Sequence, residues 1–171
     1  MASITDAARD IFITGLHNTH ALELQALQIM GRQVERLENY PELEQILRRH
    51  IQETEGQRQR LEEVMGRLSE SPSAVKEAVQ GFVGNVAAIA HSVASDEIIK
   101  NMLANHAFEN YEIAAYKSLM VMGEMAGFSN LTGFKQSLDE EVAMARQVGD
   151  LVEPITRKFI EIGARGESAK I

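Results

Sequence analysis

Between residues 43 and 68 apolar side chains recur every three or four positions, the period of a helix with one buried face. At the centre of that stripe polar residues take the apolar places: Leu43, Ile46 and Leu47 are followed by His50, Glu53 and Gln57 before Leu61, Val64 and Leu68 resume. Helix positions three and four apart lie roughly 5–6 Å from each other at Cβ, so all three polar groups reach one region inside a helical bundle. A carboxylate buried alone is costly, so Glu53 calls for a proton, an ionic partner or a cation. The rest of the chain has to supply it.

Breaks in the helical pattern divide the sequence into four long segments. Ser3 or Thr5 can cap a first helix of about 30 residues, with Asp6 in its opening turn and Ile13, Leu16, His20, Glu23 or Leu24, Leu27, Met30, Val34 and Leu37 along its inner face. Asn39-Tyr40-Pro41 ends it, and Pro41 suits the first turn of the next helix, where its missing N–H is not needed. So short a connection makes the first two helices antiparallel neighbours. The second helix runs to about residue 68, and Ser69-Glu70-Ser71-Pro72 breaks the chain again.

Residues 73–93, rich in Ala, Val and Gly, read as a long crossover holding one smaller helix. A third helix is predicted over 96–126 and ended by Gly127; a fourth begins near residue 131, is kinked or restarted at Pro154 and reaches Gly163. Residues 164–171 are expected to be disordered. Two antiparallel pairs joined by a long crossover give an all-α, ferritin-like four-helix bundle with extra short helices, in one domain spanning residues 1–171.

Composition agrees. Apolar residues make up 44% of the chain and aromatics only 5%, there are eight Met and no Trp, and no alternating β-branched run argues for a sheet. With 171 residues the chain can bury a full core without a structural metal, so any metal is functional. The absence of Cys removes disulfides, thiolate ligands and Cys nucleophiles. Lys and Arg total 17 against 25 Asp and Glu, a formal charge of −8 with no basic face, which argues against nucleic acid or an anionic membrane as partner. Neither a signal peptide nor a membrane span is visible, and a cytoplasmic location is expected.

Each long helix carries acid on its inner stripe: Glu23 in the first, Glu53 in the second, Glu109 and Glu112 in the third, Glu141 in the fourth. In a two-pair bundle they converge near mid-helix. Hard carboxylate oxygens with one imidazole suit a pair of iron or manganese ions. His50-x-x-Glu53 reverses the order of the Glu-x-x-His element of di-metal bundles, and His106-x-x-Glu109 repeats the reversed spacing. The bland readings are that Glu109 and Glu112 face different sides, that His17, His20 and His91 are hydrogen-bonded helix residues, that Met120, Met122 and Met125 fill core, and that Tyr111 and Tyr116 pack with a polar tip.

Several stretches resemble the YciE/YciF-type bacterial stress-response family of the ferritin-like superfamily: residues 20–27, 35–43 and 50–54, Phe108-Glu-Asn-Tyr-Glu-Ile-Ala-Ala-Tyr116, and Leu138-Asp-Glu-Glu141. The resemblance spans about residues 5–160. It implies a homodimeric bundle with a carboxylate-rich metal site of Glu23, His50, Glu53, Glu109, Glu112 and Glu141, and a role in stress adaptation. Asn110 stands where many members have His, and Ala145 where many have Asp, changes expected to thin one ion's shell. Glu53 and Glu112 are read as bridges and the others as terminal ligands of a dimetal centre open to dioxygen or peroxide. The alternatives are a metal-free structural or protein-interaction bundle and, more remotely, an iron-storage cage.

Overall fold

Ser3 starts the first helix with a reciprocal cap, its hydroxyl accepting from the Asp6 N–H while the Asp6 carboxylate accepts from the Ser3 N–H, each at 3.1 Å. The computed structural model describes residues 3–70 and 96–169. Within them lie four long helices, α1 (Ile4–Gln33), α2 (Pro41–Arg67), α3 (Glu97–Met125) and α4 (Thr132–Ala164), and a short 3₁₀ turn, Val34–Arg36, that closes α1. Pro41 opens α2, and Gly127, at φ 84°, follows α3 in the left-handed conformation that a residue with a Cβ resists. The expected crossover and its small helix fall on residues 71–95, outside the described residues, as does His91.

Contacts across the seams fix the direction of every pair. Gln33 and Asn105 exchange amide hydrogen bonds of 3.1 and 2.8 Å at one end of the α1–α3 seam, while Gly15 meets Leu119 and Met122 at the other. Arg49 bonds Gln147 and Arg60 bonds Glu140, so α2 and α4 are antiparallel too. His106 on Ala145 and Tyr116 beside Phe134 do the same for α3 and α4. With α1 antiparallel to both α2 and α3, α2 and α3 run parallel. This is the ferritin-like four-helix bundle.

Pro154 does not restart the last helix: α4 continues through it as one element. Pro154 lies on the exposed side, where water serves the carbonyl left without a donor, and Ile155 and Ile162 keep the inner face anchored. Residues 164–169 of the tail expected to be disordered are packed on the bundle, and 170 and 171 lie outside the described residues. After Gly166, at φ 73°, the chain folds back so that the Tyr40 hydroxyl donates to the Ala169 carbonyl at 2.8 Å and Asn39 to that of Ser168 at 3.2 Å. Met125 is 53% exposed rather than core filling, whereas Met120 and Met122 pack against apolar neighbours.

The apolar core is in two parts. One gathers Met30, Leu37, Leu43, Leu47, Ile98, Met102 and Val148 towards the α1–α2 turn. The other gathers Phe12, Leu16, Leu61, Met65, Tyr116, Leu119 and Phe134 towards the opposite end. The buried polar residues Glu23, His50, Thr54, Gln57, Glu109, Glu112, Ser137 and Glu141 belong to neither, and form a layer between them. No helix among the described residues is long and apolar enough to cross a membrane.

Candidate metal centre

The buried stripe of α2 is Leu43, Leu47, His50, Thr54, Gln57, Leu61 and Met65, in steps that alternate four and three as far as Leu61. That is the repeat of helices packed nearly parallel in a bundle. It brings Thr54, not Glu53, to the inner face, where the Thr54 hydroxyl donates back to the His50 carbonyl at 2.9 Å. Glu53 stands at the flank, one-third exposed and 3.7 Å from Arg49. Its carboxylate lies 2.9 Å from His50 Nδ1 and so meets the ring from the side opposite the other acids, an arrangement that orients the imidazole rather than bridges ions.

His50 Nε2 points to two carboxylates, 3.2 Å from Glu109 and 3.6 Å from Glu141, neither aligned as a hydrogen bond. Ligand atoms of His50, Glu109 and Glu141 all lie within 4.8 Å of one another, and all three residues are buried. Glu109 and Glu112, one turn apart, are 3% and 1% exposed, which excludes the reading that they face different sides. Glu23, also buried, accepts a 2.5 Å hydrogen bond from the Tyr116 hydroxyl. Tyr116 is thus more than packing, and its place four residues after Glu112 on the same face is the signal that could have revealed it. Five of the six sequence-predicted residues, Glu23, His50, Glu109, Glu112 and Glu141, lie in the buried layer, and Glu53 supports it from behind.

Other expectations resolve differently. His106 donates through Nδ1 to the Ala145 carbonyl at 3.1 Å and takes no part in the layer. His17 and His20 pair with Glu70 and Glu62. Asn110 is exposed and donates to the His106 carbonyl, so whatever its counterparts do, its own position on α3 lies outside the layer.

The layer is electrostatically incomplete by itself. Glu23 Oε2, Glu109 Oε2 and both oxygens of Glu112 and of Glu141 are buried with no hydrogen-bond partner in the protein. Burial pushes the Glu23 carboxyl up to about 8 despite the Tyr116 bond, and burial with repulsion from neighbouring acids raises Glu112 and Glu141 well above the usual range. Burial alone would lower His50, but Glu109 and Glu53 overcome it and hold the imidazolium up to about 10. Native interiors leave few such atoms unpaired. A cation held by Glu109, Glu141 and a deprotonated His50 Nε2 would satisfy part of this set, so these three buried residues fit a metal.

Residues 7–161 match the protein family described as a domain of unknown function, DUF892. The chain belongs to this family. Among proteins similar to this DUF892 member, protein YciF of Escherichia coli K12 is 29% identical over 149 residues, covering 83% of this chain and 88% of that protein. A crystal structure of a Xanthomonas campestris protein matches with a TM-score of 0.76 at 26% identity, over 92% of this chain and 99% of that one. The crystal structure of the E. coli stress protein YciF matches with a TM-score of 0.67 at 26% identity, over 89% and 96%. The bundle is therefore that of YciF and its relatives.

Proposed function

We propose that the chain is a carboxylate-bridged dimetal protein that binds iron or manganese and acts in the response to stress. The observation that carries the reading is the set of buried, unpartnered carboxylate oxygens facing His50 Nε2. The stress role leans on the similarity to the E. coli stress protein. Ions held by Glu23, His50, Glu109, Glu112 and Glu141 would supply redox chemistry towards dioxygen or peroxide. The protein's own residues do the rest. Glu53 fixes the ring of His50, Tyr116 holds Glu23, and the two apolar cores keep bulk water from both ends of the layer.

The test is anaerobic loading of the full chain with Fe(II), followed by metal analysis and a spectrum on admitting oxygen. About two ions per chain, and a new absorption on admitting oxygen, are expected. Loading at neutral pH should also release protons, because Glu23 and His50 carry them in the metal-free protein and must lose them to coordinate. An indicator dye in weak buffer reads that release. No retained metal and no proton release, with Fe(II), Mn(II) and Zn(II) alike, would leave a metal-free structural bundle as the better reading. Particles far larger than a dimer in light scattering would favour a storage cage. The family resemblance also carries the proposal that two copies pair, which sedimentation equilibrium tests.

A further inference from the structure

Gln57 has no exposed surface, and neither atom of its amide finds a hydrogen-bond partner in the protein. An amide left so costs more than an apolar side chain of the same size would, so the position is not explained by stability. Its place in the bundle points to the layer. Arg60, three residues further along α2, bonds the Ser137 hydroxyl at 3.0 Å, one turn before Glu141 on α4, and its charge acts on Glu23. Gln57 therefore lies level with Glu23, two turns along α2 from His50, with Glu141 between the two. The unpartnered acid atoms at that level are Glu23 Oε2 and both oxygens of Glu112, and the Gln57 amide joins them.

The charges in the layer also balance in one way. Glu23, Glu109, Glu112 and Glu141 together carry about four negative charges when ionised, matching two divalent ions in a low-dielectric interior. A fifth carboxylate would leave an excess, and an amide does not. We propose that Gln57 is a donor of the buried site, its carbonyl oxygen on the cation held by Glu23 and Glu112 and its NH₂ on a neighbouring carboxylate, completing an all-oxygen position beside the imidazole-bearing one. The inference rests on the dimetal reading, and divides the two ions into unequal positions.

The experiment titrates Mn(II) and, anaerobically, Fe(II) into wild type, Gln57→Leu and Gln57→Glu, and measures the metal-free melting temperature of each. Gln57→Leu should keep the first ion and bind the second at least about tenfold more weakly. Its metal-free melting temperature should rise by a few degrees, since two unsatisfied atoms are gone. Gln57→Glu should keep both ions and melt lower without metal, because it adds a buried like charge. Two ions bound by Gln57→Leu with wild-type affinity would overturn the proposal. So would a lower metal-free melting temperature in that variant, which would make the amide a structural group. A wild-type chain that binds no ion sinks the dimetal reading and this inference together, an outcome distinct from failure of the variant alone.

Discussion

Glu141→Leu is expected to fold, to melt about 5 °C higher than the wild type without metal, and to lose metal binding. Both Glu141 oxygens are buried and unpartnered, and its carboxyl is pushed up by burial and by Glu109. A leucine of similar size removes that cost and extends the apolar packing. The same change takes one of the three ligand groups from the His50–Glu109–Glu141 cluster. Loss of partners that merely orient a ligand already weakens metal sites about 10–100-fold, and loss of the ligand should exceed that. Glu53→Ala supplies the contrast, since that side chain holds His50 from Nδ1 and its removal should cost affinity within the 10–100-fold range and leave the metal-free protein no more stable. Calorimetric titration with Mn(II) ranks the two. The reverse order, with Glu53→Ala the more damaging, would return Glu53 to the bridging role that its sequence position suggests.

The metal-free protein should lose stability as pH rises, and the loaded protein should gain it. The Glu23 carboxyl ordinarily titrates near 4.5 and in the fold is held up to about 8, so across that window the folded chain keeps a proton that the unfolded chain has released. Its contribution is complete below 4.5 and is lost as pH climbs through 8, on the order of 5 kcal/mol in all. His50 acts in the same direction between 6.5 and about 10. Glu112 and Glu141, raised by burial and by neighbouring acids, add to the trend. Glu53 opposes it, since its lowered carboxyl stabilises above 4.5 and that contribution is lost as pH falls, but it is partly exposed and the effect is small. Urea midpoints measured from pH 5 to 9 with a chelator should therefore fall, and the slope should reverse with Mn(II) in excess, because coordination requires the deprotonated groups. A flat metal-free profile would mean that the layer is hydrated and its acids are ordinary.

The helices were legible because their boundaries are written locally. The Ser3–Asp6 cap, Pro41 at the start of α2 and Gly127 after α3 each act within a few residues. Four of the five proposed acids were legible as well, since Glu23, Glu109, Glu112 and Glu141 interrupt apolar stripes and are buried. Glu53 was misplaced for a geometric reason. Steps of three and of four are equally compatible with an isolated helix, and only packing against neighbours selects Thr54 for the inside. Asn110 misled because a resemblance compares positions and not faces. The partner of Tyr116 is 93 residues away, and that of the Tyr40 hydroxyl 129 residues away, separations over which local periodicity carries no information. Pro154 was read by its usual effect, and its exposed placement, which makes the missing donor harmless, depends on how α4 is rotated in the bundle.

The division of the core by a polar layer has a consequence for how the molecule comes apart. Each apolar half draws on all four helices, and among the described residues the layer and the continuity of those helices join one half to the other. Repulsion among the acids loosens that junction, whereas a cation gripping residues from several helices would rivet it. Backbone amides beside Glu23, Thr54, Glu112 and Glu141 should then exchange with solvent faster than those in either half, and slow most on loading. Without an ion the chain would be two small cooperative units sharing four rods, and a bound ion would make them unfold as one.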